Sequence, residues 1–211
     1  MKKILLASGL ALIASTQAFA TDADSKDDRT YMGIEFGGGS YDTKLTGPNA
    51  SGAGELESDL DDAGNITLLV GKYLNDDVRA YAYLKGDSLE VTYGAFGFSA
   101  IKYERSTYSL GAGADYLFPI TDNFYALAGG NIGLYNSEFT VSQFGAPSQT
   151  KDNTGVELGV NAGLGYAFTK NFSLETGLRL NQQFGNEFTF GSDKVTYGMS
   201  TSYYLGAQYT F

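Results

Sequence analysis

The sequence contains no cysteine, no histidine and no tryptophan, and it has only 3 prolines in 211 residues. Without cysteine, the chain can form neither a disulfide nor a thiolate metal site. Without histidine, it lacks the side chain that most often acts as a general base near neutral pH, which excludes a Ser-His or Cys-His catalytic pair. We therefore expect no enzymatic activity, no cofactor and no metal site. A catalytic site built only from acids or lysine stays open.

Long apolar runs are also missing beyond the first residues of the chain. Lys2 and Lys3 precede a mostly apolar stretch at 4–14, and the Ala-Phe-Ala at 18–20 has the small-x-small pattern of a cleavage site. No later stretch approaches the roughly 20 consecutive apolar residues of a spanning helix. The sequence thus predicts export from a bacterium, with a cleaved signal peptide at 1–20, an acidic periplasmic tail at 21–30 and one folded domain at 31–211.

The chain is acidic. Its net charge is −10, and removal of the two signal lysines gives −10 − 2 = −12. We therefore do not expect nucleic acid, a polyanion, as a partner. Acids are concentrated at 55–62, but their spacing matches no EF-hand loop and lacks its fixed glycine. A solvated loop is therefore favoured over a calcium site.

By contrast, the sequence is rich in glycine (28), tyrosine (16) and phenylalanine (14). In its last residues, apolar and polar side chains alternate. From 195 to 211, every second residue is apolar or aromatic, apart from one threonine, and the residues between them are mostly small or hydroxylated. A period of two over this length indicates a β-strand whose faces meet different surroundings. The chain ends on the apolar face, at Phe211.

The same alternation recurs along the chain and predicts eight strands, near 31–39, 65–74, 78–85, 108–118, 124–135, 155–168, 172–184 and 195–211. Short turns at 75–77, 119–123 and 169–171 alternate with longer polar connections at 46–64, 86–105, 136–153 and 185–194. This rhythm is typical of an antiparallel up-and-down transmembrane β-barrel with its long loops on one side. The segment 86–105 is open to two other interpretations: its flanks on either side of 94–97 extend the strands above the membrane, or it forms a hairpin that makes ten strands. A soluble periplasmic sandwich is the alternative for the whole domain.

Aromatic residues cluster beside the three short turns. Because amphipathic rings favour the membrane interface, we interpret them as a girdle at the periplasmic side. The set is Tyr116, Phe118, Phe124, Tyr166, Phe168, Phe172, Tyr209 and Phe211. Aromatic residues in the long connections are candidates either for partner contacts or for packing among loops: Tyr93, Phe96, Phe98, Phe139 and Phe144.

The opposite parity places ionisable residues inside the barrel. The predicted interior set is Glu35, Arg79, Asp115, Glu157, Glu175 and Arg179, with Lys72 as a further candidate. Unpaired charges there would be costly, so we expect acids and bases to pair. Glu175 and Arg179 are four residues apart on one strand, which predicts partners on neighbouring strands. The network is either a structural lining or a gate on an ion path.

Three stretches carry a resemblance to a known family: the run from Leu110 to Phe124, the run from Leu164 to Glu175 and the ending at Phe211. They resemble the small eight-stranded outer-membrane β-barrels of OmpA and OmpX type, which are porin-like outer-membrane proteins, over nearly the whole mature chain. The resemblance implies residence in the outer membrane of a Gram-negative bacterium. It also implies an assembly signal at Gly206, Tyr209 and Phe211 that is recognised by the barrel-assembly machinery. We expect no counterpart of the cell-wall-binding domain of full OmpA proteins.

For function, we expect a structural or surface-interaction role in envelope integrity or adhesion, exerted through the extracellular loops. The alternative is a narrow channel for ions or small solutes. The expected partners are outer-membrane lipid and lipopolysaccharide, together with a host or surface ligand bound by the loops. We expect a monomer.

Overall fold

The computed structural model describes residues 29–48, 60–95, 98–143, 145 and 147–211, so the predicted signal peptide lies outside the described residues. Over this part the chain forms nine β-strands. They are β1 (Thr30–Thr46), β2 (Asp62–Tyr73), β3 (Val78–Ala95), β4 (Phe98–Pro119), β5 (Phe124–Gln143), β6 (Gln149–Ala167), β7 (Phe172–Phe184), β8 (Glu187–Phe190) and β9 (Asp193–Thr210). Among the described residues, no helix is long and apolar enough to cross a membrane.

The sheet closes on itself. Neighbouring strands pair antiparallel in the order β1-β2-β3-β4-β5-β6-β7-β9, and β9 also pairs with β1, from Tyr31 opposite Thr210 to Thr46 opposite Lys194. The short β8 pairs only with β9 and stands outside this ring. The structure thus confirms the predicted all-β, eight-stranded antiparallel barrel, and the ten-stranded alternative is wrong.

The two faces of the strands differ as the alternation predicted, with one exception in β9. There Val195 and Tyr197 are buried inside, and the outward apolar face begins at Met199, because the pairing with β1 shifts register between Tyr41 and Thr43. Outward-facing Leu134 and Leu205 are 63% and 60% exposed, whereas inward-facing Glu157 is fully buried. The outward apolar residues form a continuous band around the barrel. On β4 this band ends at Tyr108, and Ser106 and Glu104 above it are polar. We call the part of the chain within this band the spanning region.

Each short turn is stabilised by a side chain that accepts hydrogen bonds from the backbone. Asn75 Oδ1 accepts from the N–H groups of Asp77 and Val78, at 2.9 and 2.7 Å. Thr121 and Thr169 act in the same way at the other two turns, where their hydroxyl oxygens accept from backbone N–H groups at 3.0–3.2 Å. Local side-chain bonds of this kind favour turns over continued strand, which explains why these three connections were visible in the sequence.

Glycines inside the barrel make room for tyrosine rings. A Cβ atom on Gly71 would lie 2.5 Å from the ring of Tyr31, and one on Gly165 would lie 2.2 Å from the ring of Tyr125. Because real Cβ atoms do not approach so closely, these rings can lie flat on the strands only where glycine stands. The high glycine and tyrosine content is thus one feature of the packed interior.

Beyond the spanning region, the strands continue where the sequence predicted polar loops. Strands β3 and β4 extend to Ala95 and from Phe98, and β5 and β6 extend to Gln143 and from Gln149. The segment 185–194 contains β8 and a two-residue turn to β9, with Gly191 at φ +63°. The prediction of polar loops at 136–153 and 185–194 is therefore wrong, because strand pairing continues above the membrane. At 86–105 the possibility of strand extensions above the membrane on both flanks is confirmed. Most of the fourth predicted loop, 49–59, lies outside the described residues.

These extensions form a two-layer β-sandwich, here called the cap. One layer is β3–β6 above the spanning region, and the other is β1, β9 and β8. Between them, Phe139 of β5 stacks on Phe188 of β8, with ring centroids 5.5 Å apart. The buried core of the cap is Tyr41, Leu60, Leu89, Phe139, Phe188, Val195 and Tyr197.

Candidate functional site

Arg79 on β3 is the centre of the ion-pair network nearest the short turns. Its guanidinium donates to Asp115 at 2.8 and 2.9 Å, and to both carboxylate oxygens of Glu175 at 2.7 and 2.8 Å. Gln208 accepts a further bond at 2.7 Å, and the Tyr125 hydroxyl donates to Glu175 at 2.6 Å. All three guanidinium nitrogens therefore have partners, and the planar group is fixed in one orientation.

Two further buried pairs lie above this cluster. Arg179 on β7 donates to the two carboxylate oxygens of Glu35 on β1, at 3.0 and 3.2 Å. Lys85 on β3 donates to Glu157 on β6 at 3.0 and 3.2 Å, and the Tyr83 hydroxyl donates to the same carboxylate at 2.8 Å. Each cation thus faces a carboxylate away from water, which is the arrangement that makes buried charge tolerable.

The structure places all six predicted interior residues inside the barrel, in three groups. Glu35, Arg79, Asp115, Glu157, Glu175 and Arg179 are each no more than 8% exposed. Whether they are a structural lining or a gate stays a prediction. Lys72 was wrongly considered with them: it is exposed on the outside, since it shares the outward parity of Leu74.

The expected pairing of Glu175 and Arg179 with neighbouring strands is also wrong. Strand β7 pairs with β6 and β9, yet Glu175 binds Arg79 on β3 and Arg179 binds Glu35 on β1. Long side chains in a narrow closed barrel reach across the interior, a distance that strand pairing alone does not reveal.

Sequence reasoning missed three interior charges, Lys85, Asp87 and Arg105, which are all at most 6% exposed. Lys85 and Asp87 continue the inward parity of Arg79, Tyr81 and Tyr83, so the signal was present, but we ended the strand at 85. Arg105 donates to Asp87 at 3.0 Å and contacts the rings of Tyr41 and Tyr197. It lies above the spanning region, at the base of the cap.

Both tyrosines at the base of the cap have perturbed acidity. Burial raises the pKa of Tyr41, and the negative charge of Asp87 raises it further. Burial also raises the pKa of Tyr197, partly opposed by the positive charge of Arg105. Both phenols therefore stay neutral well above the pH at which an exposed tyrosine ionises.

Two small cavities lie in the interior, with volumes of about 10 and 20 Å³. Both are lined by Lys85 and Asn181, which separate them. A single water needs about 10–15 Å³, so each cavity has room for little more than one or two waters. Where the structure describes it, the interior is filled by side chains rather than open to solute.

The outer face of the β3–β6 layer of the cap is polar and acidic. Glu90 and Glu104 lie opposite each other on β3 and β4, and Lys102 binds both at 3.1 and 3.0 Å. The hydrogen bonds that the exposed Lys102 donates to the carboxylates of Glu104 and Glu90 raise its pKa. On the next two strands of the layer, Glu138 on β5 lies directly opposite Asp152 on β6. Four acids and one lysine thus share this face just above the spanning region.

The aromatic residues singled out in the long connections have different fates. Phe139 is buried in the cap core at 1% exposure, which favours packing rather than partner contact. Tyr93 is partly exposed and packs edge-on against Tyr103, with centroids 6.2 Å apart. Phe96 and Phe144, and the side chain of Phe98, lie outside the described residues.

The residues of the predicted assembly signal divide between the two faces of β9. Gly206 is buried beside Glu35, where a Cβ atom would approach the Glu35 side chain to 3.1 Å. The rings of Tyr209 and Phe211 are exposed on the outside and pack edge-to-face, with centroids 5.2 Å apart. Their role in assembly stays a prediction. The other aromatic residues of the predicted girdle also lie beside the short turns, and Tyr166, Phe168 and Phe172 form a row of ring contacts.

Within the described ranges, no group of three or more acidic side chains is arranged to hold a metal ion. Residues 55–59 of the acidic segment lie outside those ranges, so the weighing of a calcium site there stays a prediction.

Comparison with solved structures finds barrels of the same architecture. Neisserial surface protein A aligns with a TM-score of 0.56 at 19% identity, covering 86% of this chain and 97% of that chain. OprG from Pseudomonas aeruginosa aligns at 0.54 and 12% identity, covering 88% and 97%. The attachment invasion locus protein Ail of Yersinia pestis, in complex with the heparin analogue sucrose octasulfate, aligns at 0.51 and 15%, covering 88% and 99%. At these identities the likeness shows the fold alone.

Comparison with the curated proteins finds no match. The family model described as "Outer membrane protein beta-barrel domain" matches residues 4–211, which is nearly the whole chain. The closed barrel, its outward apolar band and its paired interior charges agree with that match. The chain therefore belongs to the outer-membrane protein β-barrel domain family and is an outer-membrane protein.

Proposed function

We propose that this protein is a surface-recognition barrel, in which the spanning region is a fixed scaffold and the cap presents a binding face outside the cell. The observation that carries the proposal is the β3–β6 layer of the cap. Its inner face packs through Phe139 and its outer face is polar and solvent-exposed. An ordered sheet packed on one side is a preorganised platform, which reduces the entropy cost of binding a partner.

The orientation of the barrel in the outer membrane is proposed from its membership of this family. Short turns on the periplasmic side leave the cap outside the cell, as in barrels of this kind. The cap then begins at the level of the lipid head groups, and the lipid-facing band contacts outer-membrane lipid and lipopolysaccharide. We propose that the protein acts as a monomer, that it reaches the membrane through the assembly machinery, and that it catalyses no reaction.

The charge of the platform favours a cationic partner. In the described part of the chain, four carboxylates share this face with one ammonium group, that of Lys102, which binds Glu90 and Glu104. A basic protein surface would be attracted to this net negative charge over about one Debye length, roughly 8 Å at physiological salt. The Ail structure holds a polysulfated heparin analogue. The acidic face here favours the opposite preference.

The test measures retention of the protein, in detergent micelles, on immobilised polylysine and on immobilised heparin. The variant Glu104→Gln/Glu138→Gln/Asp152→Asn neutralises the platform. Its matched control, Asp42→Asn/Asp62→Asn/Asp193→Asn, removes the same charge from outside the β3–β6 layer. We expect salt-sensitive retention of the wild type and the control on polylysine, and weaker retention of the platform variant. Retention on heparin, or equal loss in both variants, would contradict the proposal.

The rival function is a narrow channel. The observation that favours it is the pair of cavities on either side of Lys85, which together with the ion pairs could outline a polar path through the interior. Planar-bilayer recording separates the two functions. Steady openings that change in Arg179→Ala would support the channel and contradict a purely structural barrel, whereas silence in both proteins supports the platform.

A further inference from the structure

Arg105 is buried at the boundary between the barrel interior and the cap core, and it is 0% exposed. On β4, it lies opposite Phe139 of β5, which belongs to the cap core. Below it lies the 20 Å³ cavity, lined by Tyr41, Asp87 and Lys85 among others. The Arg105 side chain therefore separates the polar interior from the apolar core above.

The guanidinium of Arg105 lies in a corner made by two aromatic rings. Its Cζ atom is 3.8 Å from the ring centroid of Tyr41 and 4.3 Å from that of Tyr197. The two rings are nearly perpendicular, at 85°. Asp87 completes the surroundings and accepts a hydrogen bond from Nη2 at 3.0 Å. Two aromatic faces and a carboxylate are the groups that recognise a flat cation.

The walls of this corner come from both layers of the cap. Tyr41 and Tyr197 lie on β1 and β9, which pair with each other, and Asp87 lies on β3, which pairs with the β4 strand of Arg105. The site thus forms only when the two layers meet. One side chain from β4 then joins them at their base.

Arg105 uses little of its hydrogen-bonding capacity, in contrast to Arg79. Its Nε and Nη1 atoms are buried without a hydrogen-bond partner, and so is Oδ2 of Asp87. All three nitrogens of Arg79 are bonded. Contact with the ring faces and one carboxylate therefore holds the Arg105 guanidinium, rather than a set of directed bonds. Binding of this kind depends on the flat shape and positive charge of the guanidinium group. It does not require that the group be attached to the chain.

We propose that Tyr41, Tyr197 and Asp87 form a guanidinium-binding slot, and that Arg105 is its internal ligand and seals the outer end of the barrel interior. Without the Arg105 side chain, the slot keeps two aromatic faces and an uncompensated carboxylate, and it becomes continuous with the cavity below. A free guanidinium ion carries the same flat cationic group that these walls now hold. This inference is independent of the partner proposed for the cap.

The test uses Arg105→Ala, refolded in detergent, and follows thermal unfolding by the heat-dependent shift in gel mobility. We expect its Tm to fall by several degrees relative to the wild type. Millimolar guanidinium chloride should restore part of the loss with a saturable dependence, and sodium chloride of equal ionic strength should not. Adding Asp87→Asn to the variant should abolish the restoration. Lys102→Ala, an exposed change on the same strand, should show no response to guanidinium.

Refolding gives a second measurement. If Arg105→Ala does not refold by itself, refolding is attempted in guanidinium chloride and in sodium chloride of equal ionic strength. We expect a higher yield of folded protein in guanidinium chloride. A Tm equal to that of the wild type, or no difference between guanidinium and sodium in stability or yield, would overturn the proposal.

Discussion

Arg179 on β7 and Glu35 on β1 form an ion pair, although β9 lies between these two strands in the sheet. The guanidinium of Arg179 lies 3.0 Å from the Glu35 carboxylate. Both side chains are buried. The pair therefore links strands that share no backbone hydrogen bonds, on either side of the seam where β9 closes the barrel against β1. Such a bond restrains the barrel at closure.

The Arg179–Glu35 pair should be strongly coupled. We expect Arg179→Met and Glu35→Met each to lower the free energy of unfolding by about 3–5 kcal/mol, because each leaves an uncompensated buried charge. The double variant should lose much less than the sum of the two, since neither charge remains. Urea unfolding in lipid vesicles measures all four corners of the cycle. Additive losses would show that the contact contributes nothing as a pair.

The Arg79 cluster should be the most sensitive part of the interior. Arg79→Met leaves the carboxylates of Asp115 and Glu175 facing each other without a cation, so we expect loss of folding or a destabilisation at the upper end of about 3–5 kcal/mol. Adding Asp115→Asn and Glu175→Gln should recover part of it. Refolding yield and urea midpoints measure the effect. Equal stability of the single and triple variants would mean that charge is not the cause.

Substitution by alanine should lower the stability of the protein at one glycine of β2 and not at another. Gly71→Ala would place a Cβ atom 2.5 Å from both the Tyr31 ring and a backbone carbonyl oxygen, so we expect a loss of about 1–3 kcal/mol from overpacking. Gly64→Ala on the same strand meets nothing within 4 Å and should be neutral or slightly stabilising. Thermal unfolding of the two variants compares them directly. Equal effects would contradict the packing of ring on glycine.

The cap should be sensitive to alkaline pH. Burial raises the pKa of Tyr197 above its ordinary value of 10.0. The unfolded chain therefore loses this proton first, so the contribution is fully present below pH 10, and stability falls as the pH rises above it. Tyr197→Phe should flatten that fall in a series of Tm measurements from neutral to strongly alkaline pH. A fall in Tm that is equally steep in Tyr197→Phe and in the wild type would contradict this assignment.

The spanning region could be predicted from the sequence because alternate residues of each strand face lipid and the barrel interior, and these two surroundings select different side chains. Leu158 and Gly159 stand on opposite faces because side chains alternate with a period of two, and lipid on one side requires apolar residues there. Turns such as Asn75–Asp77 were visible because they depend on local hydrogen bonds. Apart from the flanks of 86–105, the cap was missed, because one face of its strands meets water and the other a small apolar core. Strands such as β5 beyond Tyr135 therefore show less contrast between their faces than the spanning parts do.

The sequence by itself determined the barrel, its eight-strand rhythm and which side chains point inward, because these depend on local alternation and on turns between neighbours. Only the tertiary structure decided that Glu175 meets Arg79 and that Arg105 lies against Tyr41 and Tyr197. Those contacts join strands that are not neighbours. Their geometry depends on the diameter of the closed sheet and on the meeting of the two cap layers, which no local pattern encodes.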